Sequence, residues 1–215
     1  MEDQMAKQGH RVLTVSRQMG SGGTYVGYQV AKALGFSYVD REILRRAAGL
    51  LNRDAMSLEE YEEKSCGFLQ NFLRTLALGT PEAGYIPRDR PVYDRDLFVL
   101  EGTIINEIVD KHDAVIMGRG GFHVLKGRPK TIHLFIHAPR DYRVGRVMKA
   151  DRTADLRQAR ARVEESDRRR ARFIKDMVGM EWTDARNYHL CIDSSVVDIA
   201  ESVRMVIEFA KTALR

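Results

Sequence analysis

Cysteine is scarce in this chain. Its 215 residues include two, Cys66 and Cys191, too far apart for any metal-binding spacing. That excludes a disulfide framework and a cysteine-ligated zinc module, and fits unpaired thiols in a reducing compartment. Long apolar runs are missing as well. None approaches the roughly 18 residues that a membrane-spanning helix needs, and the opening MEDQMAKQGH lacks the apolar stretch of a secretory leader. A cytoplasmic protein with no membrane partner is the expectation. The histidines His123, His133, His137 and His189 show no metal-ligand spacing and read as packing or surface residues. No Ser–His–Asp or Cys–His arrangement is indicated, and no internal repeat or low-complexity segment is visible. One domain over 1–215 is expected.

Positive charge, by contrast, is plentiful. Lys and Arg number 35 against 30 acidic residues, a net +5 that suits an anionic partner. Much of it sits in RQARARVEESDRRRARFIK, residues 157–175. Aromatics are not interleaved there as in a single-strand binder, so no nucleic-acid partner is expected. Such a run is most often a solvated helix face. The other reading is phosphate binding. Arg168 and Arg172 stand four apart, and Arg169 and Arg172 three apart, so pairs share a face. Two guanidinium forks on one face can grip phosphate oxygens bidentately.

Hydropathy patterning predicts strands at 11–16, 36–40, 114–118, 131–138 and 189–195. Helices are predicted at 25–34, 41–51, 97–111 and 142–150, through the arginine run, and at 197–214. Residues 52–94 give only helical, polar and loop signals. Short apolar strands alternating with helices define an α/β fold, a five-stranded parallel sheet with helices on both faces. Sites in such sheets lie beyond the carboxyl ends of the strands. That edge collects a glycine loop, Asp40, GRGG (118–121), APRD (138–141) and DSS (193–195).

The loop reads SRQMGSGGTYVG, residues 16–27. It is nearly the phosphate-binding pattern G-x-x-x-x-G-K-[ST], with Arg17 at the first glycine and Gly23 at the lysine. Gly20, Gly22 and Gly23 let backbone N–H groups turn inward and meet the positive end of the next helix, with Ser21 between them. Thr24 falls where a hydroxyl reaches Mg²⁺. A plain glycine-rich strand–helix turn is the bland alternative. The missing lysine charge has two candidate sources, Arg17 and the arginine-rich helix. Phosphoryl transfer needs mostly positioning and charge stabilisation, so an arginine from another segment can serve.

Four motifs then converge. VSRQMGSGGTYVGYQVAKALGFSYVDREIL resembles the opening of the cytidylate kinase-like family, whose loop typically reads S-R-x-x-G-S-G-G and also lacks the lysine. The likeness continues in VIMGRGGFHVLKGRP, LFIHAPRDYRVGRV and SDRRRARFIKDMVGMEWTDARNYHLCIDSS, spanning roughly 12–210. It implies a P-loop kinase fold with an inserted helical monophosphate-binding segment at about 52–94 and an arginine-rich lid at about 150–180. It implies transfer of the γ-phosphoryl group of ATP, with Mg²⁺, to a nucleoside monophosphate, CMP or dCMP by the family name.

The resemblance also implies roles. Gly20, Ser21, Gly22, Gly23 and Thr24 would hold ATP, and Thr24 the metal. Arg45, with Arg46 as second choice, would bind the acceptor phosphate. Asp40 would contact substrate or merely cap a helix. Arg119 would bind substrate, and Arg143 and Arg146 would stand at the base of the lid, Arg143 toward substrate and Arg146 toward the reacting phosphates. Asp167, Arg170, Phe173 and Lys175 fit the lid pattern D-x-x-R-x-x-Y/F-x-K, which makes Arg170 the catalytic lid arginine and Arg168 a further substrate contact. Arg17 would replace the loop lysine or else pair with Asp40. Met117 and Gly120 stand where bacterial cytidylate kinases proper carry aspartates flanking the G-R pair. A kinase of another small phosphate acceptor, and a nucleotide-binding regulator without catalysis, are the other readings.

Overall fold

The run after Arg11, four buried residues followed by the half-buried Ser16 and Arg17, becomes the central strand β1, Val12–Arg17. The computed structural model describes residues 9–44 and 95–215. Arg45, Arg46, Cys66 and the insert expected at 52–94 lie outside the described residues. After β1 come α1 (Gly23–Leu34), β2 (Ser37–Val39), a helical turn at 41–44, α2 (Arg95–Lys111), β3 (Ala114–Met117) and α3 (Gly121–Val124). Then follow β4 (Thr131–His137), α4 (Arg140–Asp151), α5 (Leu156–Val178), a 3-10 turn at Ala185–Asn187, β5 (Leu190–Asp193) and α6 (Ile199–Ala213).

All five strands are parallel, in the order β2-β3-β1-β4-β5. Strands buried on both sides are mostly apolar on both sides, and the central ones here are, with Thr14 and His133 as buried polar exceptions. Leu13, Val15, Val115, Met117, Leu134 and Ile136 face one layer with Val26 and Val30 of α1 and Val206 and Ala210 of α6. Val12, Ala114 and Ile116 face the other with Ile104, Ile105, Ile108 and Val109 of α2. Each buried Val, Leu, Ile or Met among them contributes about 1.5–3 kcal/mol, so the two layers fix the sheet firmly.

The arginine-rich helix α5 is seated at both ends. Near its start, Ala159 and Val163 pack on Val144 and Val147 of α4. Near its end, Ile174 joins Phe122, Phe135, Trp182 and Tyr188. The segment expected as a lid, about 150–180, is thus mainly the one helix α5, capped at Asp155, whose side chain accepts the Gln158 N–H, and stopped by Gly179. Two elements escaped the patterning, α3 and the 3-10 turn, both too short for a period to register. Among the described residues, no helix is long and apolar enough to cross a membrane.

Candidate active site

The carboxyl edge of the sheet holds the glycine loop between β1 and α1. Gly20 and Gly22 both adopt φ 81°, the left-handed region that favours glycine. Space is as tight as conformation. A Cβ on Gly20 would stand 2.5 Å from the Arg143 carbonyl oxygen, and one on Gly22 would collide with Ile199 Cδ1. The Ser21 hydroxyl is buried, donating to the Gln18 carbonyl at 2.8 Å and accepting the Gly23 N–H at 3.3 Å. The first turn of α1 contains no acidic residue, so its positive end is left uncompensated.

Arg17 ends β1 beneath this loop. Its Nε donates to Thr24 Oγ1 at 3.3 Å, and its Nη1 passes so close to Gly118 that a Cβ there would lie 2.5 Å away. Burial lowers its pKa, while the nearby Tyr38 and Asp40 act in the opposite direction. Burial in turn pushes the Tyr38 phenol up to about 12. Asp40 caps the turn at 41–44, its Oδ1 accepting the N–H groups of Glu42 and Ile43 at 3.0 and 3.1 Å. Capping is thus one of its roles, and charge toward Arg17 is another.

Arg170 reaches the same place from α5. Its Nη1 donates to Ser166 Oγ. Burial first, then the like charges of Arg17, Arg143 and Arg41, push it down to about 10, against the pull of Asp167. Arg143 is locked in place. Its Nε donates to the Ala138 carbonyl at 2.9 Å, its Nη1 to the Met19 carbonyl at 3.3 Å, and its Nη2 pairs with Asp167 at 2.8 Å. Arg146 lies over the loop, its Nη2 3.3 Å from where a Gly22 Cβ would be, and 6.0 Å from the Tyr142 ring centre.

Not every expected residue joins them. Arg168 faces solvent with its side chain 62% exposed and pairs with Glu165 at 3.0 Å. Two positions before Arg170 is about 200° round a helix, which turns its side chain away from that of Arg170. Arg119, at φ 52°, is drawn into an ion pair with the buried Glu101 and stacks 4.5 Å from the Phe173 ring centre. Met117 is fully buried and packs on Gly27, where a Cβ would come 2.5 Å from its sulfur. Gly120, at φ 66°, has Phe98 3.3 Å from the site of a Cβ. Both positions are therefore built for packing rather than for carboxylates. Sequence reasoning missed Arg41, Tyr38 and Ser166 as neighbours of the arginine cluster. Arg41 had a signal, since it follows Asp40 at the functional edge of the sheet.

A parallel sheet whose central strand runs into a glycine loop and a helix N-terminus, roofed by an arginine-bearing hairpin, is the α/β kinase fold. Residues 12–196 match the model of the cytidylate kinase-like family, and the chain belongs to that family. Over 111 residues it is 28% identical to a cytidylate kinase of Methanosarcina acetivorans, a match covering 52% of this chain and 60% of that protein. The match thus spans well under two thirds of that relative's length. Among solved structures, an uncharacterized protein from Eubacterium ventriosum superposes with TM-score 0.67 at 20% identity, covering 94% of this chain and 99% of that one. A gluconokinase from Sinorhizobium meliloti gives TM-score 0.52 at 14% identity, with coverage of 95% and 93%. A shikimate kinase from Bacteroides thetaiotaomicron gives 0.50 at 15%, with coverage of 94% and 98%. At these identities the structural likeness speaks for the fold.

Proposed function

We propose that the protein transfers the γ-phosphoryl group of ATP to a nucleoside monophosphate, with CMP or dCMP as the preferred acceptor. The observation that carries this is the buried gathering of Arg17, Arg143 and Arg170 against the glycine loop, with Asp167 and Asp40 as the nearby carboxylates. Buried like charges repel, and two nearby carboxylates offset three guanidinium groups only in part, so a polyanion would stabilise the arrangement further.

In this reading the loop N–H groups and the α1 N-terminus cradle the ATP phosphates. Arg17 takes the place of the loop lysine, held under the loop by Thr24. Arg143, pinned by two carbonyls and Asp167, orients the acceptor phosphate. An acceptor phosphate oxygen then displaces ADP from the γ-phosphorus, and Arg170 neutralises charge that grows on the transferring group. Among the described residues, no cluster of three or more His, Cys, Asp or Glu side chains forms a metal site. Thr24 Oγ1 fits a magnesium ion that arrives on the nucleotide, coordinated chiefly by phosphates and water. That ion would supply charge neutralisation across the phosphates.

Met117 and Gly120, both packed against hydrophobic neighbours, favour a second reading in which the acceptor is another small phosphate ester. A coupled ADP-release assay over CMP, dCMP, UMP, AMP, GMP and non-nucleotide phosphate esters separates the two. CMP and dCMP should turn over fastest. Equal or faster turnover of the purine monophosphates removes the pyrimidine assignment. ATP binding without ADP release for any acceptor leaves a nucleotide-binding regulator.

A further inference from the structure

A second basic site lies at the other end of the sheet. A cavity of about 280 Å³ opens beside the start of β4, lined by His123, Lys126, Arg128, His133, Arg186 and His189, with no carboxylate among its lining residues. Thr131, the first residue of β4, is on its wall, whereas Arg17 under the glycine loop pairs with Ile136. Five residues of strand separate them, about 17 Å. The cavity is therefore distinct from the kinase site.

Its lining offers donors. The His133 backbone N–H donates to His189 Nδ1 at 2.9 Å, which fixes the neutral His189 ring with its proton on Nε2. His133 bonds Thr14 Oγ1 through Nδ1 at 2.8 Å and stacks on His189, ring centres 5.0 Å apart. Burial pushes its pKa down to about 4, so the His133 ring is neutral, and the stacked rings form a flat floor. Arg128 spends Nη1 on Asp110 at 2.7 Å and Nη2 on the Val109 carbonyl at 2.8 Å. Its Nε is buried with no hydrogen-bond partner. Arg186 is held by Asp184 at 2.6 Å, and Lys126 is exposed at the rim. The Nε2–H of neutral His189, the Lys126 ammonium and the part of the Arg186 guanidinium not bonded to Asp184 remain on a wall without carboxylates, which suits a ligand made of acceptors, as phosphate oxygens are. The volume falls just below the roughly 300–1,000 Å³ of pockets for drug-sized ligands, so the ligand is compact.

We propose that this cavity is a second anion site, taking a compact phosphate-bearing ligand of about the size of pyrophosphate. Its wall includes Met180 and Tyr188, the latter packed with Ile174 and Trp182, so the occupant rests against the foot of the helix that carries Arg170.

The test uses the full chain, inorganic pyrophosphate as probe, and histidine ring ¹⁵N signals alongside calorimetry. In the wild type the His189 and His133 ring signals should shift on titration. The Lys126→Ala/Arg186→Ala variant, altered only at the rim, should weaken that response about tenfold or more. Arg17→Ala, altered only under the glycine loop, should leave it unchanged, which keeps this site's fate separate from that of the kinase site. Ring signals that stay fixed in the wild type, or that titrate equally in the rim variant, overturn the proposal.

Discussion

Arg168 and Arg170 stand two positions apart on one helix and live under opposite electrostatics. Arg168 lies in water with Glu165 as partner. Arg170 is buried among Arg17, Arg143 and Arg41, and its charge is disfavoured there. An exposed ion pair is worth about 0–1 kcal/mol, because water and salt already satisfy both ends. A buried guanidinium among its own kind is held by surrounding packing and becomes useful when a polyanion arrives. The same residue type thus meets water on one face of α5 and a buried arginine cluster on the other.

The sharpest way to break this contrast is to delete each arginine in turn. Arg170→Ala should lower kcat by about 10³-fold with little change in the KM for ATP, the pattern of an interaction made in the transition state. Arg168→Ala should stay within about twofold in the same steady-state assay. If Arg170→Ala also stays within about twofold, the lid does not donate the charge.

Asp167→Ala removes the carboxylate that pairs with Arg143 and draws Arg170 toward its charged form. The pair is largely buried, but Asp167 keeps 25% of its side chain exposed. A stability loss near ~3 kcal/mol, the low end for breaking a buried pair, is expected in denaturant unfolding. A loss below about 1 kcal/mol would class this pair with the surface ones.

Gly22→Val should weaken nucleotide binding about a hundredfold, roughly 2.7 kcal/mol, because a branched side chain fits neither φ 81° nor the space beside Ile199. Calorimetry on a variant shown to be folded by circular dichroism measures it. Unchanged affinity there would remove the loop from the site.

The smallest effect extends the comparison to histidine, buried in His133 and exposed in His123. The folded His133 ring protonates near 4, against an ordinary 6.5. The unfolded chain therefore takes up that proton first. Stability from this group is present above pH 6.5 and is lost as pH falls from 6.5 through 4. Thermal unfolding of His133→Gln should lose less stability across that window than the wild type, and His123→Gln should follow the wild type. Parallel curves for all three would show that His133 does not set the acid limb.

Much of the fold was legible because the three central strands leave a largely apolar signature, and glycines punctuate the chain. The loop could be read as well, and the replaced lysine poses a charge problem visible in the residues themselves. The face of α5 could not. With arginines at 168, 169, 170 and 172 every side of the helix is basic, and periodicity cannot say which side is buried. That choice is made by Ile174 and Val163, which turn the helix onto its two apolar seats. Gly120 was equally opaque, because its neighbour Phe98 comes from an element far back in the chain. So was the stacked histidine pair, which forms only when β4 meets the residue before β5.

The central position of β1 has a consequence for the nascent chain. Thr14 finds its hydrogen-bond partner His133 across a separation of 119 residues. A ribosome adding about 5–20 residues per second needs roughly 6–24 s to cover that distance. Through that interval one edge of β1 is an unpaired apolar strand, the kind of segment to which holding chaperones and neighbouring chains adhere. Slowing translation after residue 44 would lengthen that exposure, whereas slowing it after β4 has emerged would not.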